Sequence, residues 1–173
     1  AAAYRWGFRE TVGTAFGMKP IAWSQNLTEE KAAAGGARLV SKEALFRESD
    51  VLSVHVILSG RTRGLVGAAE LALMKPTAYL INTSREPIVD EAALIAALKN
   101  NRIAGAALDV FVEEPTPKDN PLLTLPNFIA APHVAGVTRE AVDRMGVVAV
   151  ENILSVLDGS PNKENVVNRE IYG

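Results

Sequence analysis

The sequence predicts an α/β protein built on a doubly wound parallel sheet of the Rossmann type. Three observations predict it. Short apolar runs recur from about residue 19 onward, amphipathic Ala-rich stretches separate them, and the runs are continuous rather than alternating. Continuous runs are the pattern of strands buried on both faces, and helices between them act as crossovers.

Taken in order, Lys19 to Trp23 reads as a strand, followed by a helix near Thr28 to Ala34. Arg38 to Val40 is a short strand. Ser41 can cap the next helix, which runs through Phe46 to Glu48, because its hydroxyl accepts from an otherwise orphaned amide. Val51 to Val56 is an apolar strand, Ala68 to Met74 a helix, and Pro76 marks the helix end. Ala78 to Asn82 is the next strand, and Asp90 caps an Ala-rich helix through Lys99. Gly105 to Val110 and Phe128 to Ala130 complete the strands, and a long helix starts after Thr138 and runs to about Asp158. The Pro-rich segment Glu113 to Pro126 reads as a loop without structure of its own, and loops of that length are often functional.

The chain has 173 residues, 48% hydrophobic and 22% charged, enough for one domain with a sizeable core. No apolar run approaches the ~18 residues of a membrane span. The Ala-rich start carries Arg5 and Arg9 without a following apolar region, unlike a secretory signal. The lack of cysteine excludes disulfides and thiolate metal sites and fits a reducing compartment, so a cytoplasmic location is expected and no metal. The formal charge of -2 comes from interspersed acids and bases with no basic stripe. Nucleic-acid and membrane partners are therefore not expected.

In a doubly wound sheet, ligands bind outside the carboxyl ends of the strands. The residues just past each run are Ser24 to Asn26, His55 to Ser59, Thr83 to Arg85, Asp109 and His133. They include the hydroxyl pair Thr83-Ser84 with an arginine, an aspartate and both histidines.

At these positions the sequence resembles the D-isomer-specific 2-hydroxyacid dehydrogenases. The resemblance rests on Thr62-Arg63-Gly64-Leu65, Met74-Lys75-Pro76, Ile81-Asn82-Thr83-Ser84-Arg85 and Pro87-Ile88-Val89-Asp90-Glu91. It continues through Ala107-Leu108-Asp109-Val110-Phe111, Glu114-Pro115 and Pro132-His133, in order and with family-like spacing. It implies a nucleotide-binding domain spanning residues 1–173, for NAD with NADP possible, acting on a small 2-hydroxy or 2-keto acid, in a homodimer. Arg85 resembles the clamp for the substrate carboxylate, which guanidinium grips through two parallel hydrogen bonds. His133 resembles the general acid-base, and Glu114 the carboxylate that orients its imidazole. The remaining cofactor contacts implied are Ser24, His55, Thr62, Thr83, Ser84, Asp109 and Gly136, with Asp109 at the nicotinamide end. His55 reads equally as an adenosine-pocket wall or as plain packing.

The sequence departs from the family in four places. The first strand and its Gly-x-Gly-x-x-Gly turn are missing: the glycines would fall at Ala1, Ala3 and Trp6, and Gly7, Gly13 and Gly17 have the wrong spacing. The sheet is thus expected to lack its first central strand, and the substrate domain that precedes it in the family is absent too. Ser24 replaces the acid that marks NAD specificity, with no arginine in Gln25 to Leu27 for a 2'-phosphate. Ile57 replaces a common proline. Glu86 replaces a glycine beside the clamp, where it is expected to pair with Arg85 and compete with substrate. Two non-catalytic readings stand beside the enzyme: an NAD(H) sensor of the corepressor type, and a dimerisation module.

Overall fold

A computed structural model describes residues 12–168 and Glu170, which fall into two compact units divided between His133 and Val134. The expected glycine positions Ala1, Ala3 and Trp6 lie outside the described residues.

The first unit is a parallel α/β fold. Its elements are β1 (Ile21–Ala22), α1 (Glu29–Ala34), β2 (Arg38–Leu39), α2 (Lys42–Glu48), β3 (Val51–Val54) and α3 (Ala68–Leu73). They continue with β4 (Tyr79–Asn82), α4 (Glu91–Lys99), β5 (Gly105–Leu108) and β6 (Phe128–Ala130). The strands fall into two sheets, β1-β2 and β3-β4-β5-β6, every pairing parallel. Among the described residues no strand joins β1 to β3, which is where the sequence places its missing central strand.

The helices begin where side-chain chemistry allows. Ser41 Oγ accepts from the Ala44 amide at 3.1 Å, and Asp90 Oδ1 accepts from Ala93 at 2.9 Å, each satisfying an amide that the helix leaves unpaired. At the far end of α3, Arg102 donates to the carbonyls of Met74 and Ala72, capping the last turn from a distant loop.

One face of the larger sheet carries the core. The register places Leu52, Leu80, Ala106 and Phe128 side by side, and α2, α3 and α4 cover them with Phe46, Leu71, Leu94 and Leu98. The other face departs from the expectation of strands buried on both sides: Val51, Tyr79 and Ile129 are 47%, 52% and 69% exposed. In β3 and β4 the next residues, Leu52 and Leu80, are buried, so these two strands alternate along the chain as a one-sided sheet must. Several strands are also shorter than their apolar runs; β3 stops at Val54, and the run to Val56 continues as loop. The Pro-rich loop holds a short 3-10 turn, Pro121–Thr124, which Asn120 caps by accepting from Leu122 at 2.9 Å.

Gly105 fixes the spacing of β4, β5 and the chain before β6. A Cβ there would lie 2.9 Å from the Asn127 carbonyl and 3.1 Å from the Tyr79 ring. Gly105→Ala is therefore expected to destabilise the fold by about 1–3 kcal/mol, the usual cost of overpacking, read as a lower urea midpoint. An unchanged midpoint would show that Tyr79 swings aside freely.

The second unit holds the long helix α5 (Arg139–Leu157), capped by Thr138 Oγ1 accepting from Ala141 at 3.1 Å. Among the described residues no helix is long and apolar enough to cross a membrane.

Candidate active site

Three elements of the first unit converge on the carboxyl edge of the larger sheet: the turn after β4, the loop after β5 and the end of β6. The turn after β4 is built around Asn82, fully buried at the strand end. Its side chain donates to the Arg85 carbonyl at 3.0 Å and accepts from the Ser84 amide at 3.0 Å, so one amide group closes the turn from both sides. The Ser84 hydroxyl donates to the Val56 carbonyl at 2.6 Å, tying the end of β4 to the chain beyond β3. Arg85 is left on the outside with its side chain exposed, one guanidinium nitrogen donating to the Ser84 carbonyl at 2.7 Å. Asn82 is not among the site residues the sequence predicts. The available signal is a polar residue ending an otherwise apolar strand, where burial demands hydrogen bonds.

The loop after β5 places Glu114 against His133. Glu114 Oε1 accepts from the Phe111 amide at 3.0 Å, and Oε2 meets His133 Nδ1 at 2.8 Å. The His133 hydrogen bond, and then the Phe111 amide, hold the Glu114 carboxyl below its ordinary range, and the Arg85 charge acts in the same direction. Glu114, and not the neighbouring Glu113, is the residue the structure brings to the imidazole. His133 adopts φ +57°, a left-handed conformation that histidine tolerates better than most residues. Both side chains stand at the lip of a cleft of about 660 Å³, whose walls include Phe111, Leu123, Ala130 and Pro132.

Glu86 does not pair with Arg85. Arg85 is extended (φ -145°, ψ 141°), so successive side chains point to opposite sides. Arg85 goes outward, and Glu86 goes inward to 3% exposure, with Oε1 lacking a hydrogen-bond partner. Burial, reinforced by the charges of Glu91 and Asp90 and opposed by Arg63, raises its carboxyl from 4.5 to about 7.

The other expected contacts are held by separate local structures. Asp109 is buried at the end of β5, its amide donating to the Asn82 carbonyl at 3.0 Å. Thr83 is exposed, and Ser24 lies in the turn after β1. The Thr62 hydroxyl is engaged within its own turn, donating to the Ile57 carbonyl at 2.7 Å and accepting from the Ser59 amide at 2.8 Å. His55 Nε2 meets Ser53 Oγ at 2.7 Å. Gly136 belongs to the second unit, in the exposed turn from Val134 to Val137.

Comparison with known proteins decides the family. The family model for "D-isomer specific 2-hydroxyacid dehydrogenase, NAD binding domain" matches residues 10–135. The chain belongs to this family. It is 47% identical over 160 residues to the glyoxylate reductase of Aeropyrum pernix, covering 92% of the chain and 48% of that protein. Among solved structures, a candidate D-3-phosphoglycerate dehydrogenase from Ralstonia solanacearum is similar with TM-score 0.85 and 41% identity. That match covers 91% of this chain and 46% of the other. The NAD-complexed D-isomer-specific 2-hydroxyacid dehydrogenase of Lactobacillus delbrueckii ssp. bulgaricus matches with TM-score 0.79 and 28% identity, over 90% and 51% of the two chains. The chain thus spans about half the length of these relatives, and the matched half is the NAD-binding domain of an oxidoreductase family.

Proposed function

We propose that this chain supplies the nucleotide-binding and acid-base half of an NAD-dependent oxidoreductase acting on a small 2-hydroxy or 2-keto acid. The observation that carries the reading is the 2.8 Å contact between His133 Nδ1 and Glu114 Oε2 at the cleft lip, with the Arg85 charge felt at the same carboxylate.

The described residues fit a dinucleotide at the carboxyl edge of the sheet. Asp109 is a buried carboxylate at a strand end, and Thr83 is an exposed hydroxyl beside it. Ser24, His55, Thr62, Ser84 and Gly136 are assigned to the same cofactor on family grounds, Ser84 chiefly as the residue that holds its turn. When bound, NADH supplies the hydride that reduces the keto carbon.

The side chains do the rest. Arg85 receives the substrate carboxylate in its guanidinium fork and draws electron density from the adjacent carbonyl. Glu114 accepts the Nδ1 hydrogen of His133, which leaves Nε2 to exchange a proton with the substrate oxygen. In reduction Nε2 gives its proton to the forming alkoxide; in oxidation it takes the hydroxyl proton. The ionised Glu114 stabilises the imidazolium in either direction. A pure sensor needs only the cofactor contacts, so the Glu114–His133 pair supports the catalytic reading.

The chain alone is expected to hold NADH with a dissociation constant weaker than about 1 mM, a binding energy below roughly 4 kcal/mol. The reason is that the two sheets are unjoined among the described residues and that the glycine turn is absent from its expected positions in the sequence. Titration calorimetry checks it, and micromolar binding would show that another cradle serves the pyrophosphate.

A further inference from the structure

We propose that Asn82 is a positioning residue for Arg85: its buried side-chain amide fixes the Ser84-Arg85 dipeptide and so sets where the guanidinium stands for a substrate carboxylate. The inference rests on the reading of Arg85 as the substrate clamp.

The case begins at the end of β4. Asn82 is the last residue of that strand, fully buried, with the apolar Val54 and Leu108 beside it in register. A side-chain amide carries both donors and an acceptor, and leaving them unpaired in the interior is costly. Here both ends are spent on one short turn: Nδ2 donates to the Arg85 carbonyl and Oδ1 accepts from the Ser84 amide, each at 3.0 Å. The two partners define the orientation of the amide, since a carbonyl needs the NH2 end and an N–H needs the oxygen. Neither leucine nor an ionised carboxylate of similar size satisfies both.

Arg85 depends on this hold. Its side chain is exposed and forms no ion pair among the described residues. One guanidinium nitrogen donates to the Ser84 carbonyl at 2.7 Å. Asn82 therefore holds the dipeptide at both ends, and the guanidinium rests on the carbonyl in its middle. Two further bonds help: the Ser84 hydroxyl donates to the Val56 carbonyl at 2.6 Å, and the Ile88 amide donates to the Arg85 carbonyl at 3.4 Å. Each of these holds one residue of the pair; Asn82 holds both.

The main chain of Asn82 has a separate task. Its carbonyl accepts from the Asp109 amide at 3.0 Å, joining the end of β4 to the end of β5. A side-chain substitution removes the hold on Arg85 and leaves this bond in place. The two substrates of the reaction therefore respond differently: the keto-acid constant moves and the cofactor constant does not. A residue that served the fold alone would move both.

The test is steady-state kinetics and NADH titration on a chimera of this whole chain with the remaining half of the Aeropyrum pernix glyoxylate reductase. Asn82→Leu fills a similar volume without donor or acceptor, and its apolar neighbours accept it. The Michaelis constant for the keto acid should rise about tenfold or more, the scale on which misplaced binding groups act. Turnover should fall less, and the NADH dissociation constant should stay near the parent's. Asn82→Ser, which can serve one partner but not both, should give the same pattern with a smaller rise, and it decides alone if Asn82→Leu does not fold. Added to Arg85→Lys, either change should raise the keto-acid constant little further, because it acts through the residue already altered. A keto-acid constant unchanged by the Asn82 variants while Arg85→Lys raises it overturns the proposal, as does an NADH constant that rises in parallel. Arg85→Lys without effect on the keto-acid constant instead removes the clamp reading itself, and the proposal with it.

Discussion

Replacing His133 by Asn is expected to slow turnover about a hundredfold or more, the usual contribution of a positioned acid-base group. The assay uses a chimera joining this chain to the remaining half of the Aeropyrum pernix glyoxylate reductase, the relative that is 47% identical over the shared half. Asparagine keeps a polar group near Glu114 but cannot deliver a proton to an alkoxide. The Michaelis constant for the keto acid should change less, because the carboxylate of the substrate is held by another residue. Glu114→Gln should lower turnover in the same direction, since its carboxylate, 2.8 Å from Nδ1, is what holds the imidazole in place. Turnover near the parent's in His133→Asn would place the proton donor elsewhere.

Arg85→Lys is expected to lower catalytic efficiency toward 2-keto acids strongly, while leaving NADH affinity within a few-fold. Lysine keeps the charge and loses the fork that grips both carboxylate oxygens. Arg85 is exposed, with one guanidinium nitrogen bonded to the Ser84 carbonyl and nothing from Glu86 engaging it. The competing internal ion pair expected from the sequence is therefore not formed, and Glu86→Gly is not expected to improve substrate binding by releasing Arg85. Steady-state kinetics on Arg85→Lys checks the assignment. A raised cofactor constant with an unchanged keto-acid constant would move Arg85 to the nucleotide site.

These expectations stand on features that were unequally legible in the sequence. The helix starts at Ser41, Asp90 and Thr138 were legible because a cap is a contact between a side chain and an amide three residues on. The places of the strands along the chain are legible from apolar runs, but which of their faces are covered is not. An apolar run states what a strand tolerates; which face is covered depends on segments distant in sequence, and Val51, Tyr79 and Ile129 are left open. Glu114 and His133, 19 residues apart, could be named together only through the family resemblance, since no local spacing dictates that contact. Glu86 shows the opposite failure: adjacency to Arg85 suggested a pair, and the extended backbone between them turned the two side chains apart. Asn82 carries no such signal, because its hydrogen bonds shape the turn between residues 82 and 85.

The central proposal is that this chain's residues complete hydride transfer between NADH and a 2-keto acid. The direct measurement is NADH consumption by the chimera with a 2-keto acid, coupled to determination of the configuration of the product. The expected result is NADH oxidised in step with hydroxy acid formed, a product of D configuration, and loss of both in the His133→Asn, Arg85→Lys double variant. NADH consumption undiminished in that double variant, or a product of L configuration, would contradict it.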